Sequence, residues 1–278
     1  MEYNRNTHYI EFDDKNGIGQ VFGITKKLHE EQSEFQNIEI YETTKFGNLM
    51  IIDDCVMLTS KDNFLYHEIM SHPALLTHNK PEKVAIIGGG DCGTLREVLK
   101  HSTVKTATQI DIDERVTRLS EKYFPELCDG NLDPRAEILF ADGLKWMKQV
   151  EENSLDIIIV DSTDPIGPAV GLFNRAFYKD CLKTLKPDGI LVQQSESPLI
   201  QFELIKEMRE EMSAAGFNNF LTMPFPQPSY PSGWWSATMA SKDRLLTEHR
   251  SEELKTKYYN SEIHKACIAQ PEFFKELS

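Results

Sequence analysis

The chain reads as an α/β protein: a doubly wound sheet with a small N-terminal antiparallel β domain. Three observations predict this. From residue 83 onward short apolar runs alternate with helical patterns, the signature of βαβ units. The first run, Lys83 to Ile87, passes into Gly88, Gly90 and Gly93, which satisfy G-x-G-x-x-G between a strand and a helix. Ahead of residue 63, alternating strand patterns follow one another directly, with turn residues between them. The expected division is a β domain over 1–62 and a larger α/β domain over 63–278.

Within 1–62, Gly19–Thr25 is one candidate strand and Glu34–Glu42 a second. In the second, Gln36, Ile38 and Ile40 share a face, so Gln36 heads an inward row. Asn48–Ile52 and Cys55–Thr59 flank Asp53-Asp54, a two-residue hairpin connection. Phe64–Met70 reads as a helix ending near Pro73. His67-Glu68 with His72 is not a zinc motif, because the histidines are not four apart on one helix face; no metal is expected. After the glycine loop, strands are expected at Ala107–Ile112, Ala136–Phe140, Leu155–Val160 and Gly189–Val192, with a helix over Gly143–Val150. The β region closes over Phe220–Ser241 with Trp234 and Trp235 in the core, and the charged tail after Arg244 reads as helical.

Bulk properties narrow the function. The 278 residues suffice for one large and one small domain, and the net charge of −14 opposes nucleic-acid binding while suiting a cationic substrate. No apolar run approaches the ~18 residues of a membrane span. Residues 1–6 lack a signal-peptide apolar region, so a cytoplasmic chain without a membrane partner is expected. The five cysteines, Cys55, Cys92, Cys128, Cys181 and Cys267, are scattered without a C-x-x-C pair and read as free thiols.

The chemistry is written at the strand ends. In open α/β sheets ligands bind at the carboxyl ends of strands. Asp91 follows the first parallel strand, and Asp111, Asp142 and Asp161 close the next three. Asp91 sits where a pyrophosphate would meet the first free N–H groups of the helix. A carboxylate there repels phosphate and attracts a cation, which points to a nucleoside with a positively charged arm. Asp111 lies about 20 residues past the loop, where a carboxylate meets ribose hydroxyls. Asp142 suits an adenine amino group and equally an N-cap. Ser162-Thr163-Asp164-Pro165 follows Asp161 with a second carboxylate, and Ser162 has no nucleophile elbow.

Together these segments resemble the polyamine aminopropyltransferases, the spermidine synthase family. The resemblance rests on Gly88-Gly89-Gly90-Asp91, Asp161-Ser162-Thr163-Asp164-Pro165, Tyr66-His67-Glu68 and Tyr230-Pro231-Ser232-Gly233, and runs from about Phe12 to Lys242. It implies a Rossmann-like, methyltransferase-type sheet and no prosthetic group. It implies decarboxylated S-adenosylmethionine as co-substrate, whose aminopropyl group passes to a diamine, usually putrescine, giving spermidine and 5′-methylthioadenosine. Asp161 resembles the proton acceptor, with Tyr66 beside it. Gln36, Gly88, Asp91, Asp111, Asp142, Gly143 and Pro168 fall where the family holds the nucleoside co-substrate. His67, Asp91, Asp161, Ser162, Thr163, Asp164 and Tyr230 fall along the amine, with Glu196 at its far end. Family members are commonly homodimers or tetramers.

Two departures stand out. Asp111 replaces the family's usual Glu, and Cys92 replaces a usual Gly, which requires a backbone angle that tolerates a Cβ. The alternatives are another amine acceptor (agmatine, cadaverine), a diamine N-methyltransferase, a nicotinamide dehydrogenase, which Asp91 opposes, and a non-catalytic polyamine binder.

Overall fold

The structure is a computed structural model describing residues 4, 7–164 and 167–277, without the side chains of 167 and 168. Pro165 of the matched motif and the side chain of Pro168 therefore lie outside the described residues.

The chain begins with a five-stranded antiparallel meander: β1 (His8–Asp13), β2 (Ile18–Gln32), β3 (Asn37–Thr43), β4 (Asn48–Ile52) and β5 (Cys55–Thr59). Sequence reasoning missed β1, whose six residues carry two acids and pair with only one neighbour. The β2 strand is longer than expected because two register shifts let it bend along β3. Asp53 and Asp54 both take positive φ, 46° and 67°, which a tight two-residue hairpin requires.

The first helix, α1 (Asn63–Thr77), does not end at Pro73 but runs through it. Proline removes one helical hydrogen bond and costs ~3 kcal/mol in a helix interior. Here nearly every residue of α1 is buried, so packing against the large sheet and the next helix outweighs that loss.

The large sheet contains β6 (Lys83–Gly88), β7 (Thr106–Asp111), β8 (Ala136–Phe140), β9 (Leu155–Asp161), β10 (Leu185–Gln194), β11 (Asn219–Pro226) and β12 (Trp234–Ser241), in the order β11-β12-β10-β9-β6-β7-β8. The first five are parallel; β12 and β11 close the edge antiparallel, so the sheet is mixed. Helices α2 (Gly93–Leu99), α3 (Glu114–Tyr123), α4 (Gly143–Met147), α5 (Arg175–Thr184), α6 (Phe202–Ala215) and α7 (Ser261–Ile268) connect or flank the strands. The α4 helix stops three residues short of the expected Val150.

Two apolar layers sandwich this sheet. On β9, Ile157 and Ile159 face one layer and Ile158 and Val160 the other, which is why the strand reads as an unbroken apolar run. Trp235 is buried in the first layer, but Trp234 is only half-buried. The tail departs from expectation too: residues 245–260 are irregular, and helix resumes only at α7. The Glu68 carboxylate of α1 fastens this tail by accepting the N–H groups of Lys257, Tyr258 and Tyr259 at 2.8, 2.9 and 2.7 Å. Among the described residues no helix is long and apolar enough to cross a membrane.

The strand order reverses between β6 and β9. From β6 the chain goes to β7 on one side and later crosses to β9 on the other, opening a crevice at their carboxyl ends. Gly88 and Asp161 are register partners at that point. The small sheet leans on α3 through Ile38, Ile40 and Met50 against Val116, Leu119 and Phe124, and so roofs the crevice.

Candidate active site

The crevice holds a cavity of about 320 Å³. Its floor is the glycine loop. Gly88 has φ of 85°, and a Cβ there would fall 2.1 Å from the Asp161 carbonyl oxygen, so only glycine lets the two strand ends touch. A Cβ at Gly93 would meet the His67 ring at 2.3 Å. Cys92 takes φ of 69°, the left-handed region that a side chain rarely adopts, so the substitution carries local strain. Its thiol is fully buried and accepts from the Gln109 amide at 3.6 Å.

Asp161 lines the cavity. Its Oδ1 accepts from the Tyr66 hydroxyl at 2.6 Å and its Oδ2 from the Thr94 hydroxyl at 2.5 Å. Burial raises its pKa and the neighbouring Asp91 charge raises it further; His67 and the two hydroxyls pull against that. Burial and the Asp161 charge hold Tyr66 protonated, so Tyr66 is a donor.

Asp91 lines the same cavity. One oxygen accepts the Gly93 N–H at 2.7 Å and the other meets His67 Nε2 at 3.1 Å. Burial pushes Asp91 up, but His67, the Gly93 N–H and Arg96 outweigh it and hold it below the ordinary carboxylate range. Burial pulls His67 down, and the charge and hydrogen bond of Asp91, with the Asp161 charge, together more than reverse this. The two form a buried ion pair. His67 does not line the cavity; it braces Asp91 from behind. His72, five residues on, points instead to His101 and Glu97.

At the other end, Asp111, Asp142, Gly143 and Gln36 line the wall. Asp111 accepts the Asp113 N–H at 2.8 Å, and burial, then the Asp113 charge, pushes it up to about 6. Asp142 both lines the cavity and caps α4, accepting from Leu144 and Lys145 at 2.9 and 3.2 Å. Gln36 is fixed by donating to Asp113 at 2.9 Å. Ala169 and Leu172, from the 3-10 turn Gly167–Phe173, complete this apolar end.

Ser162, Thr163 and Tyr230 also border the cavity. The Tyr230 hydroxyl donates to the Met57 carbonyl at 2.5 Å, so the ring is a wall rather than a free hydroxyl, set 6.0 Å from Tyr66. Asp164 does not line the cavity; it is in electrostatic contact with Tyr230, Glu196 and Glu11. Burial, then Asp164, raises Glu196 well above its ordinary value, and burial pushes Glu11 up to about 7. Glu11 accepts the Val56 N–H at 3.1 Å with one oxygen; the other is buried without a hydrogen-bond partner among the described residues.

Sequence reasoning missed Glu11 and Thr94. Glu11 belongs to the unrecognised β1, and its alternation with Ile10 and Phe12 was the available signal. Thr94 is 67 residues from Asp161, a contact that no local pattern encodes.

Comparison with known proteins gives a consistent result. Residues 63–250 match the family model described as "Spermine/spermidine synthase domain", and residues 7–60 the one described as "Spermidine synthase tetramerisation domain". The chain is 63% identical over 259 residues to a polyamine aminopropyltransferase of Thioalkalivibrio sulfidiphilus, covering 91% of this chain and 92% of that protein. It is 59% identical over 271 residues to one of Xanthomonas campestris pv. campestris, covering 95% of each. A spermidine synthase solved in complex with the transition state analogue AdoDATO superposes with a TM-score of 0.93 at 36% identity, over 99% of this chain and 96% of that one. The spermidine synthase of Thermotoga maritima gives 0.91 at 35% identity, over 99% and 95%. Family models spanning both the small sheet and most of the large domain, together with near-full-length relatives, place this chain in the spermine/spermidine synthase family.

Proposed function

We propose that this chain transfers the aminopropyl group of decarboxylated S-adenosylmethionine to putrescine, releasing spermidine and 5′-methylthioadenosine. The observation that carries this is the sharing of one crevice by Asp91 and Asp161, with Gln36, Asp111, Asp142, Ala169 and Leu172 in the same lining and the acidic group Asp164, Glu196 and Glu11 in electrostatic contact beside Tyr230. Asp111 and Gln36 suit ribose hydroxyls, and Ala169 and Leu172 suit an adenine face. Asp91 suits the donor's ammonium. The far acids suit the second ammonium of a diamine.

In this reading the attacking amine nitrogen forms a bond to the methylene beside the sulfonium. The carbon–sulfur bond breaks, its electron pair leaves sulfur neutral, and the amine proton passes to Asp161. An alkylamine with a pKa near ~10.4 is free base in only about one part in several thousand at pH 7, a deficit of roughly 4–5 kcal/mol. The sulfonium and partial desolvation lower that pKa. Alignment in the crevice supplies much of the rest.

Release of methylthioadenosine from decarboxylated donor, measured across putrescine, cadaverine, agmatine and spermidine, tests the assignment. Putrescine is expected to give the highest kcat/KM. A higher value with agmatine would move the acceptor while leaving aminopropyl transfer intact; methylated product from intact S-adenosylmethionine would overturn the reaction class.

The same reading includes self-association. Ile10, Phe12 and Val21 are 38%, 61% and 43% exposed, and Ile10 pairs with Val21 across the β1–β2 ladder, so they form one apolar face of the small sheet. The matched tetramerisation model covers this sheet. The face is proposed to pack against a second copy, as a dimer or tetramer. Phe12→Glu is expected to lower the mass seen by light scattering; an unchanged mass would exclude this face.

A further inference from the structure

The catalytic reading gives Asp161 one obvious partner, Tyr66, and leaves a second unexplained. Thr94, the second residue of α2, is fully buried, and its hydroxyl stands 2.5 Å from Asp161 Oδ2. A hydroxyl that close to a carboxylate must be the donor, so its single proton is committed to Asp161. With Tyr66 on Oδ1 at 2.6 Å, each carboxylate oxygen carries one donor, and the group cannot rotate without breaking one of them.

The charged and titratable neighbours make this bond matter. Asp161 faces Tyr66 and His67 from α1, Asp91 from the glycine loop, Asp111 from β7 and Tyr230 from the β11–β12 connection. Two of these are carboxylates, which favour the protonated form of Asp161. His67 opposes them but is already committed to Asp91. A proton acceptor at this place must be kept ionised and aimed, and Thr94 does both from the side away from Tyr66.

We infer that Thr94 is a positioning residue for the transfer: its hydroxyl fixes the plane of the Asp161 carboxylate and keeps it unprotonated, so that its remaining lone pairs face the amine. The inference rests on the reading above, in which Asp161 takes the amine's proton.

The test compares wild type with Thr94→Val, which keeps the shape and removes the hydroxyl, and Thr94→Ser, which restores it. With donor and putrescine saturating, Thr94→Val is expected to move the acid limb of the kcat profile up by about one pH unit and to lower kcat about tenfold at pH 7. The donor KM should change less than about twofold, since uniform binding is untouched. Thr94→Ser should recover most of the loss. An unmoved acid limb in Thr94→Val, or equal losses in Val and Ser that follow melting temperature alone, would overturn the inference. The carboxyl carbon resonance of Asp161, titrated in the free protein, is independent of turnover. Its midpoint should rise in Thr94→Val, and an unshifted midpoint overturns the inference even if the wild type proved to catalyse a different reaction. Absence of methylthioadenosine release by the wild type with every amine would instead sink the reading of the reaction, leaving the titration to decide the role of Thr94.

Discussion

Asp161→Asn is expected to leave a folded protein that binds methylthioadenosine normally and turns over about a thousandfold more slowly, the middle of the range for losing a positioned general base. The asparagine is nearly isosteric, so the register of Gly88 against residue 161 is undisturbed. Its amide oxygen still accepts from Tyr66, and its amide nitrogen donates to Thr94, whose hydroxyl can turn round to accept. Tyr66 and Thr94 each keep one hydrogen bond to residue 161, and the melting temperature should move little. What disappears is the charge and, in the proposed reaction, the site that receives the proton. The nucleoside end, 36, 111 and 142, is built on other strands and should hold its ligand as before. Single-turnover kinetics beside equilibrium binding separates the two effects. Turnover within about tenfold of wild type would show that the amine loses its proton elsewhere, to water or through Tyr66.

The parts of the site visible in the sequence are those the fold places by rule. Strands buried on both faces show as apolar runs, and the residues that end them stand along one rim, so Asp91, Asp111, Asp142 and Asp161 could be read as a set. What stayed hidden depends on long-range contact. The resemblance implies that His67 lies along the amine, yet its ring lies behind Asp91, because the α1 helix crosses over α2 where Gly93 leaves room for it. Glu11 reaches the neighbourhood of Asp164 from a hairpin strand too short and polar to stand out, and it is held by Val56, 45 residues on. Pro73 was a sound helix-stop signal overridden by burial of the whole helix. In each case tertiary packing decided, and a local pattern carries no record of it.

Asp91→Asn should remove the preference for the decarboxylated donor that the proposed function assigns to Asp91. In wild type the Asp91 carboxylate, already paired with His67, faces the cavity where the donor's arm is proposed to lie. A lone ammonium there competes with His67 for the same carboxylate; as it docks, the charge that keeps His67 protonated is shared, and His67 can release its proton. In the proposed pose intact S-adenosylmethionine would bring a second carboxylate against Asp91, a like-charge contact that would reject it. Asparagine abolishes both the attraction and the repulsion. Losing a charge-assisted contact of about 2–3 kcal/mol weakens decarboxylated donor roughly 30- to 150-fold, while intact cofactor should bind as well as before or better. His67 then loses its counter-charge, and burial leaves it neutral, so the variant does not strand a buried cation. Calorimetry with both nucleosides reads the ratio directly. A preference for the decarboxylated form that survives in Asp91→Asn would mean that discrimination is exercised elsewhere along the crevice, with Asp91 reduced to a cap on the first N–H groups of α2.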